Sequence, residues 1–131
     1  MIFYKSGYKY QLAVDYEIPL TELNSFEIAT DYVLLKDGVL TIFKDYAWDG
    51  ASGPAIDTKN FMRGSLVHDV LYQLMREGRL PRGVKSYADK VLRKLCIEDG
   101  MSRVRAWWVY EAVKRFGKYA TIKNKDLKVA P

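Results

Sequence analysis

An α+β fold is predicted for this chain of 131 residues, an N-terminal antiparallel β-sheet or hairpin pair followed by three α-helices, and three observations predict it. Apolar and polar residues alternate in the first part of the chain. Asp37-Gly38 separates two apolar arms, and beyond Gly50 the apolar spacing changes to that of a helix. Strand patterning in one half and helix patterning in the other indicates segregated elements rather than repeated βαβ units.

The elements follow in order. In YKYQLAVDYEI, Tyr10, Leu12, Val14 and Tyr16 fall on one side of an extended segment, the period-2 signature of a half-buried strand. In YVLLKDGVLTIF, two arms rich in β-branched and aromatic residues flank Asp37-Gly38, a pair suited to a type I′ hairpin turn. Residues 48–57 form a glycine-containing loop. The first helix is expected over residues 58–77, capped by Asp57 or Thr58, with Phe61, Leu66, Val70, Leu71, Leu74 and Met75 on its apolar face and Gly78 and Pro81 behind it. The second is expected to begin with a capping box, Ser86 to Asp89, and to bury Val91, Leu92, Leu95 and Cys96 before Gly100. The third starts at Ser102, with Val104, Trp107, Trp108 and Val113 expected inward and the arginines and lysines outward. The whole reads as a single domain over residues 1–131, strand-rich over 1–47, helical over 58–117 and basic over 118–131.

With 49% hydrophobic, 28% charged and 14% aromatic residues, the composition is that of a folded globular protein. The lone cysteine, Cys96, rules out a disulfide-stapled scaffold and points to a reducing compartment. The chain shows neither a signal-peptide pattern nor an apolar run near the roughly 18 residues of a membrane span, so a soluble protein is expected. The formal charge is +5, and from residue 114 onward Lys114, Arg115, Lys118, Lys123, Lys125 and Lys128 face Asp126 alone, so the excess lies there. A basic end of this kind suits nucleic acid, anionic lipid, an acidic protein or plain solvation.

The chemistry-bearing stretch is SLVHDVLYQL. His68 and Tyr72 stand four residues apart and share a helix face, while Asp69 diverges by about 100°. Such a pair is either a satisfied half-buried contact or part of a site. Two neighbouring segments extend the second reading. YAWDGASGP supplies Trp48, Asp49, Gly50, Ser52 and Gly53, a loop whose glycines can aim backbone groups at a ligand. Asp89 is either a helix-N-terminal charge or, with antiparallel packing of the first two helices, a partner for the His68 imidazole.

WDGAS, LVHDVLY, ADKVLRKLC and a Trp- and Arg-rich helix together resemble a phage-encoded family, domain-of-unknown-function family 1353, over residues 43–117. The resemblance implies host cytoplasm during infection, or the virion, as the location, with other virion proteins as partners. His68-Asp69-x-x-Tyr72 is also similar to the active-site helix of secreted phospholipase A2. That likeness implies His68 as the base that activates water, Asp69 as a calcium ligand, and Tyr72 as support for a further aspartate that orients the histidine, matched here by Asp89. The glycine-rich calcium loop of that family is matched by WDGASG, which implies Trp48, Gly50 and Ser52, with Asp49 as an extra ligand, around the ion. Ser52 stands where a loop glycine is usual, Pro54 follows Gly53, and strands replace the family's N-terminal helix. The implied activity is calcium-assisted hydrolysis of an ester, in lipid of the bacterial envelope. A neutral imidazole suits proton abstraction near pH 7, and a hard cation with oxygen ligands suits polarising a carbonyl.

Other chemistries lack their residues. Metal-dependent phosphohydrolases with an HD doublet need several histidines and this chain has one. A structural zinc site lacks ligands, and Ser52 and Ser65 lack a nucleophile elbow. Two other classes stay open. Arg103, Arg105, Trp107 and Trp108 with the basic tail suit a nucleic-acid-binding module, and ten tyrosines with three tryptophans suit a virion or assembly component that docks on others.

Overall fold

The computed structural model describes residues 2–5, 10–48 and 58–117. The chain divides into two compact units, Met1–Gly50 and Ala51–Pro131, with the boundary inside the predicted glycine-containing loop. The α+β class and the order of strands before helices are as the sequence predicts.

The strands of the first unit are β1 (Tyr4–Lys5), β2 (Tyr10–Leu12), β3 (Tyr16–Pro19), β4 (Ile28–Ala29), β5 (Val33–Lys36), β6 (Val39–Ile42) and β7 (Ala47–Trp48). They form two antiparallel sheets, one ordered β1-β2-β7 and the other β3-β6-β5-β4. In the larger sheet the register aligns Ile18, Leu40, Leu35 and Ile28 in one row, and all four are buried. Glu17, Lys36 and Val39, at alternating positions, are exposed, as the pleat requires. Asp37 and Gly38 take φ of +53° and +73°, the positive values of a type I′ turn. In the smaller sheet Trp48 is buried against Tyr4 and Tyr10, with ring centroids 6.0 and 5.7 Å away.

The segment expected as one strand through Val14 and Tyr16 is two. Leu12 is fully buried and bonds back to the chain before β7, its N–H donating to Tyr46 O at 2.8 Å and its carbonyl accepting from Asp45 N at 2.7 Å. Asp15 Oδ1 then accepts from Lys44 N at 2.7 Å. These bonds bend the backbone at Ala13 and Val14, leave Val14 exposed and pass the chain from one sheet to the other.

The second unit contains α1 (Lys59–Arg76), α2 (Lys85–Glu98) and α3 (Arg103–Phe116), with α2 packed against both others. Thr58 is the N-cap of α1 but its side chain makes no capping bond, and Gly78 follows the C-cap. Twelve of the 18 residues of α1 are buried, so it runs as an interior helix rather than a one-sided one. Arg63 ties its N-terminal half to the end of α2, with Nε and Nη2 each 3.0 Å from an Asp99 carboxylate oxygen and Nη2 3.0 Å from Glu98 Oε1. Phe61, Leu92, Cys96, Met101 and Ala106 form a core at the meeting of the three helices. None of the helices among the described residues is long and apolar enough to cross a membrane.

Two helix expectations are corrected. There is no capping box at Ser86. A 3₁₀ turn over Arg82–Val84, closed by Val84 N donating to Pro81 O at 3.0 Å, runs straight into α2, so Ser86 lies inside the first turn and Asp89 in the second. The face assigned to α3 is also rotated. Val104, Trp107 and Trp108 are 69%, 43% and 65% exposed, and the packed side is Ala106, Val109 and Val113. A small side chain at Ala106 lets α3 approach the core closely, which the bulk of the tryptophans would prevent. Ser102 caps α3 as expected, its hydroxyl accepting from Arg105 N at 3.2 Å.

Candidate functional site

The one-turn spacing of His68 and Tyr72 on α1 stacks their rings, with centroids 4.0 Å apart and planes tilted by 40°. Both project toward α2, where the 3₁₀ start of that helix sets the rotation that turns Asp89 inward. Asp89 is 1% exposed, Tyr72 4% and His68 7%. Asp89 Oδ1 lies 2.8 Å from His68 Nε2 and accepts from the Tyr72 hydroxyl at 2.5 Å. Its other oxygen, Oδ2, accepts from Lys85 Nζ at 2.8 Å. Lys85 Nζ also donates to the carbonyls of Val113 and Lys114, at 3.1 and 3.2 Å, and so joins the last turn of α3 to the carboxylate.

A buried carboxylate without partners would be costly. Burial pushes the Asp89 carboxyl up. Hydrogen bonds from His68, Lys85 and Tyr72, with the electrostatic attraction of His68, outweigh it and hold the group below the usual aspartate range. Tyr72 moves the opposite way: burial, then its hydrogen bond to Asp89 and the adjacent negative charge, push the phenol far above its ordinary value, so it remains a donor. An ionised carboxylate only accepts, so the proton in the 2.8 Å contact sits on His68 Nε2. In a neutral ring that tautomer would carry its lone pair on Nδ1. Among the described residues no buried side-chain nitrogen or oxygen lacks a hydrogen-bond partner.

The structure therefore brings together His68, Asp89 and Tyr72 of the residues predicted for a site. Asp69 is half-buried and takes no part in the bonds to Asp89. Trp48 is a buried member of the aromatic cluster in the first unit, and Asp49, Gly50, Ser52 and the tail over residues 118–131 lie outside the described residues. Among the described residues no group of three His, Cys, Asp or Glu side chains is placed to hold a metal ion.

Sequence reasoning missed Lys85 and Gly117. The signal for Lys85 was its position four residues before Asp89, a standard helix ion-pair spacing. Gly117, the C-cap of α3, had no such signal, because its importance is steric. A Cβ there would stand 2.6 Å from the Tyr72 hydroxyl and 2.6 Å from Val113 O, too close for either. Gly117→Ala is accordingly expected to lower stability by about 1–3 kcal/mol through overpacking. It should also displace Tyr72 from Asp89, seen as a change in near-UV tyrosine dichroism. A variant with parental stability and spectrum would refute the close approach.

No curated protein and no solved structure matches the chain. A family model does, over residues 26–113, which span about two thirds of the sequence and include His68, Tyr72, Lys85 and Asp89. The chain belongs to the family described as Protein of unknown function (DUF1353).

Proposed function

We propose that the helical unit carries a hydrolytic centre of phospholipase A2 type, acting on an ester of the bacterial envelope, with His68 as general base. The single observation that supports this reading is the 2.8 Å contact between His68 Nε2 and a carboxylate that is itself fixed on both oxygens. Asp89 holds the imidazole in the tautomer whose Nδ1 can take a proton from water. Its negative charge also favours the imidazolium that results. Tyr72 and Lys85 act through Asp89: each bond they donate narrows the orientations open to the carboxylate. A base of this kind contributes about 10² to 10⁴ in rate.

Calcium stays part of the proposal on the sequence spacing, with Asp69 as its acidic ligand. When bound, it would polarise the ester carbonyl. The phage origin and a place in the host cytoplasm or virion are likewise proposed on the sequence resemblance.

A second reading, a non-catalytic virion or interaction protein, is favoured by one observation: His68 is buried, its side chain 9% exposed, and among the described residues no buried side-chain nitrogen or oxygen lacks a partner. One experiment separates the two. Fatty-acid release from phosphatidylglycerol vesicles is measured with calcium and with chelator, for the parent and for His68→Gln. The hydrolytic reading expects a fall of about 10² or more in the variant, and a further dependence on calcium in the parent alone. Equal rates in all four conditions would leave the interaction protein.

A further inference from the structure

The exposed face of α3 has no role in the centre described above. Val104 and Trp108 are one turn apart, Trp107 adjoins them, and Ala112 continues the stripe, all four exposed. The opposite face, Ala106, Val109 and Val113, is committed to the core, which fixes the rotation of the helix and keeps the tryptophans outward. Basic residues bracket the stripe, Arg103 and Arg105 at the first turn and Lys114 and Arg115 at the last, against Glu111 alone.

We infer that this face docks on an anionic lipid surface. Area argues against a stable protein partner as the occupant. A helix of 14 residues is about 21 Å long and offers only a few apolar side chains, whereas a stable protein interface needs about 800 Å² and roughly 20–30 residues on each side. A bilayer asks for less. Tryptophan rings settle at the headgroup level with their N–H groups wetted, and flanking basic residues meet the negative surface potential. Stacking of single-stranded nucleic acid fits less well. The two indole planes meet at 73° with centroids 5.3 Å apart, an edge-to-face pair rather than a platform for successive bases, and Val104 and Ala112 extend the stripe with groups that bases do not need.

The inference stands apart from the hydrolytic reading, and its test is blind to hydrolysis. The full chain is sedimented with phosphatidylglycerol vesicles, with phosphatidylcholine vesicles and, in a separate arm, titrated with an oligothymidylate. Binding to the anionic vesicles, weakened by salt and accompanied by a blue shift of tryptophan emission, is expected for the parent and equally for His68→Gln. Trp107→Gln/Trp108→Gln should bind about tenfold or more weakly, and Arg103→Gln/Arg105→Gln roughly tenfold or more weakly. Far-UV dichroism checks that both variants are folded; Arg103, Trp107 and Trp108 are exposed and Arg105 is half-buried. Parental binding by both variants, equal binding to neutral vesicles, or binding to the oligonucleotide in preference to lipid would each overturn the assignment.

Discussion

Asp89→Ala is expected to lower the free energy of unfolding by about 3–5 kcal/mol, a large share of the roughly 5–15 kcal/mol that holds a domain folded. Three donors converge on this carboxylate inside the helical unit: His68 Nε2, the Tyr72 hydroxyl and Lys85 Nζ. Removing it strands a mostly buried ammonium and leaves two further polar groups without their acceptor. Asp89→Asn should help little, because the amide NH₂ would meet Lys85 donor to donor. Adding Lys85→Met to Asp89→Ala should recover part of the loss, since the penalty belongs chiefly to the unpaired charge. Urea unfolding of the four proteins measures this, and a single-variant loss under 1 kcal/mol would mean the carboxylate is not a hub.

The same group sets a pH dependence of defined sign. The carboxyl is held below its ordinary value of 3.8 in the folded state. Its stabilising contribution is therefore complete above that value and drains away as the pH falls toward the folded one. Below about pH 4 the parent should lose stability more steeply than Asp89→Ala.

The second large effect is expected at Gly64. A Cβ there would lie 3.0 Å from Leu92 Cδ1, 3.1 Å from Cys96 Sγ and 3.3 Å from Leu92 O, so Gly64 sits where α1 and α2 leave no room for a larger side chain. Gly64→Val drives a branched side chain into that seam and should cost about 3 kcal/mol. Gly64→Ala is a milder probe: the helix gains about 0.5–1 kcal/mol in backbone entropy, which offsets the small shift the neighbours must make. Cys96 reports the outcome chemically. Burial, then the Asp99 charge, push its thiol up to about 12 against the smaller opposing effects of Arg105 and Arg63, so the parent should resist thiol reagents. Labelling in Gly64→Val at a rate near that of the unfolded chain is the expected sign of an opened seam, and continued protection would contradict it.

The sequence allowed the fold class, the Asp37-Gly38 turn and the existence of all three helices to be read, because each rests on local periodicity or turn chemistry. It was less informative where tertiary geometry decides. Val14 continued an alternating pattern, yet hydrogen bonds linking Leu12 and Asp15 to residues 44–46, distant in sequence, bend the chain there. The tryptophans of α3 were expected inward, opposite the arginines and lysines, while the close approach belongs to Ala106. In the candidate site His68 and Tyr72 follow from a helical repeat. Asp89 was legible only as one of two alternatives, and the choice rested on how the first two helices pack, which periodicity within one helix does not decide. Gly117 could not be found by spacing, since what matters there is a hydroxyl from another helix.

Lys85 also has a mechanical consequence. Its ammonium spans a carboxylate on its own helix and two carbonyls in the last turn of α3, so fraying of that turn would withdraw acceptors from the cation that holds the acid. Whatever winds or unwinds the end of α3 is felt at the imidazole three bonds of the network away, and the protein acquires a lever running from α3 to its only histidine.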